Sequence, residues 1–309
     1  MTEERVHIEI CVCTFRRPIL RQTLDSLARQ ELPEGVTISV LVIDNDVSPS
    51  ARTVVERAEH DVVPMRYVHC PGANISIARN GALDHAQGRF LAFIDDDEVA
   101  SPNWIAALWT EMRRSGAQAV LGPVDAVYGD DAPQWMRRSA IHSTRPVWVD
   151  GKIRTGYTCN ALLDRDWPAI RDLRFEPGLG RTGGEDTAYF TSIAKAGGDI
   201  VYAEDALVRE DVPSERQKVG WLLRRRYRMG QTHGRLKRRS GTLLKLPADI
   251  GLAGVKLLYC LAAAGFGAYD ATRRNQAMLR GVLHAGVIAG LAGARELELY
   301  GAEPAGKQV

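Results

Sequence analysis

The stretch RFLAFIDDDE, residues 89–98, sets the fold class and the first candidate site. Its apolar first half has the length and composition of a buried β-strand. Four acids follow directly at the carboxyl end of this run: Asp95, Asp96, Asp97 and Glu98. Carboxylates this close repel one another unless a cation lies among them, and Mg²⁺ and Mn²⁺ prefer oxygen ligands of this kind. The stretch therefore predicts a divalent-metal site, with a solvated acidic turn leading into a helix cap as the alternative.

The composition is that of an ordinary globular protein. Of 309 residues, 45% are hydrophobic and 25% are charged, which suits one large α/β domain or two modest ones and argues against wholesale disorder. The net charge of +2 is too small to indicate nucleic acid as a partner. The five cysteines lack the paired spacing of a zinc site or a disulfide framework. The first residues contain no apolar signal region, so we expect a cytoplasmic setting.

Strand and helix patterns alternate through the first 115 residues. Apolar, β-rich segments lie at residues 7–13, 38–43, 65–69 and 90–94, and helix patterns lie at residues 18–30, 51–60, 76–86 and 103–114. This rhythm predicts an α/β fold with a mostly parallel sheet and helices on both faces. Ligands of such sheets bind at the carboxyl ends of the strands.

Three of these strand ends carry polar groups that suit a nucleotide diphosphate. The groups are Thr14-Phe15-Arg16-Arg17, Asp44-Asn45-Asp46 and Asp95-Asp96-Asp97. Neither the dinucleotide fingerprint G-x-G-x-x-G nor the P-loop pattern follows the first strand. A nucleotide would therefore be held through carboxylates, arginines and a metal ion.

Several motifs in a fixed order carry a resemblance to a known family. They are CTFRRP at residues 13–18, VIDND at 42–46, GANISIARN at 72–80 with a following A-x-G, and FIDDDE at 93–98. In this order they resemble the inverting family-2 glycosyltransferases of the GT-A fold, over residues 7–235. The most similar subgroup builds bacterial exopolysaccharides, as succinoglycan-type glucosyltransferases do. The resemblance implies a nucleotide-sugar donor, usually a UDP-sugar, and a divalent cation, Mn²⁺ or Mg²⁺.

The resemblance implies a nucleotide pocket at the first two strand ends. Thr14 and Arg16 would line this pocket, and the pair Asp44 and Asn45 would meet the base. The family often has two acids where this chain has Asp44-Asn45, and an asparagine both donates and accepts hydrogen bonds. The base preference is therefore open. A helix cap is the alternative role of Asp44.

The resemblance also implies roles for three residues around the acidic strand end. Arg79 would approach the base or the diphosphate, Asp95 would face the ribose, and Asp97 would bind the metal. From the sequence alone, Arg79 lies in a helix pattern, and an ion pair with a surface acid is its alternative.

The segment GGEDTAYF, residues 183–190, carries the candidate general base. Glu185 and Asp186 lie at the start of a helix pattern, where acids are favoured electrostatically even without a catalytic role. The resemblance implies that Asp186 is the general base and that Glu185 belongs to the substrate-binding site. Direct displacement needs one carboxylate to take the proton of the acceptor hydroxyl, whereas a hydrolytic glycosidase needs two carboxylates that flank the scissile bond.

A basic segment follows between residues 224 and 239, with eight basic residues and no acids. The resemblance implies that arginines here lie near the diphosphate, and Arg225, Arg226 and Arg228 are the candidates. The family's Gln-x-x-Arg-Trp form is absent, so the particular arginine is open. The alternatives are a solvated helix face and a patch that contacts the membrane surface.

The last 67 residues change to a composition rich in alanine, glycine and leucine. Their uninterrupted apolar runs are about 13 and 14 residues, shorter than the roughly 18 of a spanning helix. We expect two amphipathic helices that lie in the cytoplasmic leaflet, with a helical hairpin covering the catalytic domain as the alternative. The expected organisation is a nucleotide-sugar-binding half (residues 1–115), an acceptor and catalytic-base half (116–240) and a helical extension (241–309).

These patterns lead to one main interpretation and two alternatives. The main one is a metal-dependent glycosyltransferase that moves a hexose from a UDP-sugar to a saccharide or lipid-linked acceptor, in surface or exopolysaccharide synthesis at the inner face of the cytoplasmic membrane. A sugar-phosphate nucleotidyltransferase is the second, but it would need a glycine-rich loop with a lysine after the first strand. A non-catalytic, membrane-associated scaffold is the third.

Overall fold

The computed structural model describes residues 5–58, 63–241, 243–295 and 297. Within these residues the chain forms two compact units. The first unit consists of Met1–Val127, Ser143–Gly180 and Glu185–Asp211, and the second consists of Tyr128–His142, Arg181–Gly184 and Val212–Val309. The division into a donor half and an acceptor half stays a prediction.

The first unit is built on a mixed sheet of seven strands. From edge to edge they are β11 (Ile200–Tyr202), β6 (Ala119–Leu121), β10 (Asn160–Asp164), β4 (Phe90–Asp95), β1 (Val6–Thr14), β2 (Val36–Asp44) and β3 (Met65–His69). Strands β4, β1, β2 and β3 are parallel, and β10 is antiparallel to both of its neighbours. The predicted parallel sheet and the four predicted strands are confirmed.

Smaller elements complete the first unit. The second sheet contains β5 (Glu98–Ala100), β12 (Val208–Asp211) and β7 (Val124–Val127), and a hairpin contains β8 (Trp148–Val149) and β9 (Lys152–Ile153). The helices are α1 (Leu20–Ala28), α2 (Arg52–Ala58), α3 (Ile75–His85), α4 (Trp104–Ser115), α6 (Pro168–Arg171) and α7 (Glu185–Lys195), with a short 3₁₀ turn at Pro177–Leu179. The last two residues of the helix pattern predicted at 51–60 lie outside the described residues.

Helices cover both faces of the large sheet because its strands are apolar on both faces. Ile8, Ile10 and Val12 of β1 point into a core that includes the apolar face of α1. Cys11, on the opposite face of β1, points into a second core with residues of α3 and α7. This two-sided burial explains why the strand segments read as nearly continuous apolar runs.

The strand register brings the predicted polar strand ends side by side. Thr14 of β1 lies opposite Asp44 of β2, and Asp44 lies opposite His69 of β3. On the other side of β1, Cys13 lies opposite Asp95 of β4. The first, second and fourth predicted strand ends therefore form one continuous edge, as the sequence pattern predicts for parallel strands.

The second unit is helical. Its helices are α5 (Gln134–Ser139), α8 (Val219–Ser240), α9 (Leu246–Phe266) and α10 (Ala271–Leu291), with a 3₁₀ turn at Leu243–Lys245. Within the described residues, α9 is the one helix long and apolar enough to cross a membrane, judged by length and composition alone. Helix α9 is longer than the apolar run of about 13 residues, because it begins before Lys256, which interrupts the run but not the helix.

Helices α8 and α10 approach closely through glycines. Gly230 and Gly234 lie one turn apart on α8, and Gly286 and Gly290 lie one turn apart on α10. A Cβ atom added to any of the four would overlap the backbone of the facing helix. Pairs of small residues at this spacing let two helix backbones come into direct contact. These glycines therefore fix the α8–α10 packing.

We expect Gly286→Ala to destabilise the second unit. The new methyl group would overlap the carbonyl oxygen of Tyr227, and overpacking of this kind costs about 1–3 kcal/mol or more. Urea denaturation followed by far-UV circular dichroism measures the effect. Gly251→Ala on α9 is the matched control, because its methyl group meets no described atom within 4 Å and should stabilise the helix by roughly 0.5–1 kcal/mol. Equal effects of the two substitutions would refute the close glycine contact.

Candidate active site

The acidic strand end is held by an arginine of the first loop. Arg17 donates from Nε to Oδ1 of Asp96 at 3.2 Å, and its Nη2 lies 3.1 Å from Oδ2 of Asp97. The backbone N–H of Phe15 donates to the other oxygen of Asp96 at 3.3 Å. The loop after β1 and the acids after β4 thus form one charged cluster. Asp96 orders this cluster, and Asp97, the predicted metal ligand, is paired with a protein cation.

The pKa values of the acids reflect their crowding. Burial, and then the charges of Asp97 and Asp96, raise the pKa of Asp95 to about 7, although Arg79 opposes the rise. Burial raises the pKa of Asp96 to about 6, with Arg17 opposing. Burial and the charge of Asp95 raise the pKa of Glu98 well above its usual range. An added cation would relieve this accumulation of negative charge.

The donor atoms in this cluster suit a divalent cation. Ligand atoms of Asp95, Glu98 and Cys159 lie within 4.8 Å of one another. Two carboxylates beside further acids suit a hard ion such as Mn²⁺ or Mg²⁺, while a thiol suits softer ions. The residues therefore fit a divalent cation, and they offer two carboxylate positions for it: Asp97, as the sequence predicts, and the pair Asp95 and Glu98.

Arg79 joins the acidic strand end to the helix that carries the candidate base. It projects from α3, is buried, and places Nη1 2.5 Å from Oε1 of Glu185 and Nη2 3.7 Å from Oδ1 of Asp95. Its guanidinium also lies over the Phe175 ring, 5.7 Å from the ring centroid. The alternative of a surface ion pair is therefore wrong for Arg79. Its predicted contact with the base or diphosphate stays a prediction.

Hydrogen bonds fix α3 against the segment that precedes α7. Asn74 caps α3 by accepting from the N–H groups of Ser76 and Ile77, and it donates to the carbonyl of Pro177 at 3.0 Å. Further along α3, Asn80 donates to the carbonyl of Phe175 and accepts from its N–H, at 2.9 and 2.8 Å. These bonds set the position of α3, and therefore of Arg79.

The candidate base lies in the first turn of α7, as predicted. Oδ1 of Asp186 accepts from the N–H of Thr187 at 2.6 Å. Burial and then the charge of Glu185 raise the pKa of Asp186 to about 6, while Arg79 opposes the rise. Oε2 of the buried Glu185 has no hydrogen-bond partner among the described residues. Asp186 thus combines a half-buried position with a pKa suited to a proton acceptor near neutral pH.

The loop after β1 carries Arg16 in a constrained conformation. Arg16 has a φ of +54°, which is uncommon for a residue with a side chain and is found at functional sites. Its Nε donates to Oδ1 of Asp46 at 2.9 Å, and this bond lowers the pKa of Asp46 to about 2. Thr14, at the end of β1, is buried. Arg16 remains more than half exposed, in a position to contact a ligand.

The carboxylate of Asp44 is buried and accepts hydrogen bonds from other groups of the protein on both of its oxygens. It is 0% exposed and accepts from the N–H of Ala51 at 2.8 Å and the hydroxyl of Tyr67 at 2.9 Å. Asn45 is likewise buried and bonds the carbonyl of Cys70 and the N–H of Asn74. The structure therefore favours the capping alternative for Asp44. The contact of this pair with a base stays a prediction.

The three candidate arginines lie on α8, in the second unit. Arg228 is buried and donates to the carbonyl of Thr182 at 2.5 Å. Arg225 lies over the ring of Trp221, and burial together with the charge of Arg225 lowers the pKa of Arg226. Their predicted role near the diphosphate stays a prediction.

Sequence reasoning left several residues of this cluster without a role. Arg17 was noted at the strand end, but its pairing with two acids was not predicted. Glu98 and Cys159 were not recognised as neighbours of Asp95, and Glu210 of β12, whose charge also raises the pKa of Asp95, was missed. The signal for Glu210 is the pairing of β12 with β5, which places Glu210 opposite Glu98. Single-sequence patterns do not reveal that pairing.

The chain matches a known family over its first half. Residues 9–168 match the model of Glycosyl transferase family 2. The chain is also 52% identical over 303 residues to the succinoglycan biosynthesis protein ExoM of Rhizobium meliloti (strain 1021), and the match covers 98% of both chains.

Solved structures share the fold at low sequence identity. The mannosyltransferase PcManGT from Pyrobaculum calidifontis, in complex with GDP-Man and Mn²⁺, has a TM-score of 0.64 at 19% identity and covers 95% of this chain and 89% of its own. Residues 1–349 of S. aureus TarS, in complex with UDP-GlcNAc, have a TM-score of 0.54 at 14% identity and cover 94% and 93%.

These matches agree with the observed sheet. They rule out the nucleotidyltransferase alternative, and they favour an enzyme over a non-catalytic scaffold. The chain belongs to glycosyl transferase family 2 and is a glycosyltransferase with the GT-A fold.

Proposed function

We propose that the chain transfers a hexose from a nucleotide-diphosphate sugar, with UDP as the nucleotide, to a saccharide or lipid-linked saccharide acceptor in exopolysaccharide synthesis. The relationship to a succinoglycan biosynthesis protein supports the pathway class. The observation that carries the chemistry is Arg79, which holds Glu185 of the base-bearing helix and Asp95 of the acidic strand end around one guanidinium.

We infer inversion by direct displacement. Asp186 takes the proton from the acceptor hydroxyl as that oxygen forms its bond to the anomeric carbon. The bond from the anomeric carbon to the diphosphate breaks in the same step, and its electron pair leaves with the nucleoside diphosphate. One positioned carboxylate is sufficient, because no covalent intermediate has to be hydrolysed.

Cations balance the charge of the departing diphosphate. Asp97, or the pair Asp95 and Glu98, would hold the divalent cation, which supplies electrostatic stabilisation of that charge. Arg16 offers an exposed guanidinium at the same strand edge. Arg225, Arg226 and Arg228 are further candidates for the diphosphate.

We also infer that transfer takes place at the inner face of the cytoplasmic membrane. A lipid-linked acceptor would be presented there, and the second unit combines a basic helix with an apolar one. Both features suit a protein that works at a lipid surface.

A thermal-shift panel of nucleotide sugars tests the donor assignment. UDP-glucose and UDP-galactose at about 100 times their Kd should stabilise the protein by roughly 2.7 kcal/mol, with a large part of the shift dependent on Mn²⁺. GDP-glucose is the matched control, because it keeps the diphosphate and the glucose of UDP-glucose and changes only the base. A shift by GDP-glucose equal to that by UDP-glucose would remove UDP as the preferred nucleotide. No shift by any nucleotide sugar would contradict the proposed donor class.

A further inference from the structure

Helix α9 presents a continuous apolar face to the solvent. Six of its large hydrophobic side chains are more than half exposed: Leu252, Val255, Leu258, Tyr259, Leu261 and Phe266. Soluble monomers rarely expose contiguous apolar surface of this extent, and such surface marks a site of protein or membrane interaction. This face has no role in the proposed chemistry.

The opposite face of α9 is already occupied by α10. Ala253 packs in a core with Val287 and Leu291 of α10, and Leu257 and Cys260 lie against Gly281 of the same helix. These α9 positions recur every three or four residues, as expected for one helix face. Helix α9 is therefore apolar on both faces, but only its outer face is open to an occupant.

Helix α10 cannot accompany α9 into a bilayer core at acceptable cost. It carries Arg273, Arg274 and Arg280, and it packs along α8, which carries eight basic residues. Charged side chains at the centre of a bilayer are expensive. Of the two helices expected in the leaflet, only α9 is therefore a candidate, because the glycines of α10 hold that helix against α8.

The charges around α9 favour a lipid surface over a second copy of the chain. Lys256 is the one charged residue between residues 250 and 269, and the nearby Asp249 is paired with Lys237 at 2.7 Å. Lys256 borders this face, so a symmetric dimer would bring two ammonium groups to the edge of one apolar contact, and residues 250–266 offer no acid to pair them. At a membrane, Lys256 can extend to the anionic headgroups.

We propose that α9 lies in the plane of the membrane, with its outer face in the headgroup and acyl-chain boundary and its inner face on α10. This orientation rests on the proposed location at a membrane surface, but not on the chemistry of transfer. A helix of 21 residues lying in the plane would contact lipid over about 30 Å.

Vesicle flotation of the full-length protein tests this assignment. The wild-type chain should float with vesicles of phosphatidylcholine and phosphatidylglycerol, and less with phosphatidylcholine alone. The double variant Leu258→Gln/Phe266→Gln should bind roughly tenfold more weakly or worse, with an unchanged melting temperature. Val147→Gln is the control, because Val147 is similar to Leu258 in exposure but lies in the first unit.

A thiol introduced just after α9 tests the orientation. Tyr269→Cys should react with a membrane-impermeant maleimide on the outside of sealed vesicles, above the background of the wild-type thiols. If this thiol is protected from the maleimide, α9 spans the membrane instead of lying in its plane.

Flotation of the double variant equal to that of the wild type, or no flotation of the wild type, would overturn the proposal. A wild-type dimer that the double variant lacks would assign the face to a second copy instead. Donor binding is measured in the same variants. If they still bind the donor, a failure of the membrane proposal leaves the proposed transferase function intact.

Discussion

Asp186→Asn is expected to bind the donor as the wild type does and to lose transfer by roughly 10²- to 10⁴-fold, the usual contribution of a general base. Asparagine keeps the size of the side chain and the oxygen that accepts from Thr187 N–H, so α7 should begin as before. The amide cannot take a proton from the acceptor hydroxyl. The loss should therefore fall on kcat.

The pH dependence gives this prediction a second readout. The pKa of Asp186 is raised to about 6, first by burial and then by the charge of Glu185. Its basic, ionised form is populated above that pH and lost below it. In the wild type, kcat should fall as the pH drops through about 6, and this limb should be absent from the residual activity of Asp186→Asn.

A matched control separates the base from a general effect of lost charge. Asp166→Asn makes the same chemical change at an exposed acid on the turn before α6, and it should leave kcat and its pH profile unchanged. An Asp186→Asn variant with wild-type kcat would refute the base assignment. Loss of donor binding in the same variant would instead indicate that Asp186 belongs to the donor pocket.

The sheet and one edge of the site could be predicted from sequence because their signals are local. Three of the four apolar segments that form β1 to β4 end in the predicted polar groups, and parallel strands place such ends together. The sequence pattern therefore predicts that Asp95 and Asp44 lie at one edge of the sheet. The start of α7 could also be predicted from the sequence, because a regular apolar pattern begins at Glu185 and Asp186.

The rest depends on contacts between residues far apart in sequence. Arg79 and Glu185 are separated by 106 positions, and their pairing follows from the bonds that fix α3 to the segment before α7. Asp44 was predicted as a contact of the base or as a helix cap, and local patterns do not reveal its hydrogen bond with the hydroxyl of Tyr67, 23 positions away. The glycines of α8 and α10 each form a short repeat in the sequence. Only the packing reveals that the two repeats face each other.

Two groups of side chains in the site could bind the divalent cation. Asp97 was predicted from the resemblance, yet in the structure its carboxylate is paired with Arg17. Asp95, Glu98 and Cys159 form a second group of ligand atoms. A divalent ion bound at Asp97 has to compete with Arg17, whereas one bound at the second group does not. The two positions therefore predict different responses to substitution of Arg17.

Asp97→Asn is expected to abolish the Mn²⁺-dependent part of donor binding and to lower transfer by roughly a hundredfold or more, since a bound metal contributes several kcal/mol at the transition state. Arg17→Gln should instead strengthen the binding of Mn²⁺ to the protein without the donor. The substitution removes the ion pair with Asp97, and the Mn²⁺ affinity should rise by a few-fold, the scale of a partly exposed ion pair. Electron paramagnetic resonance of free Mn²⁺ measures both effects without an activity assay.

Glu98→Gln provides the contrast that decides between the two positions. Its amide oxygen can still accept from the N–H of Asp95, as Oε2 of Glu98 does at 2.9 Å, so the turn after β4 should keep its shape. If Asp97 binds the ion, Glu98→Gln should retain most Mn²⁺ affinity while Asp97→Asn loses it. The reverse pattern, with no effect of Arg17→Gln, would move the ion to Asp95, Glu98 and Cys159. Asp97 would then serve mainly as the partner of Arg17, and Arg17 would be a fixed part of the first loop rather than a competitor of the metal.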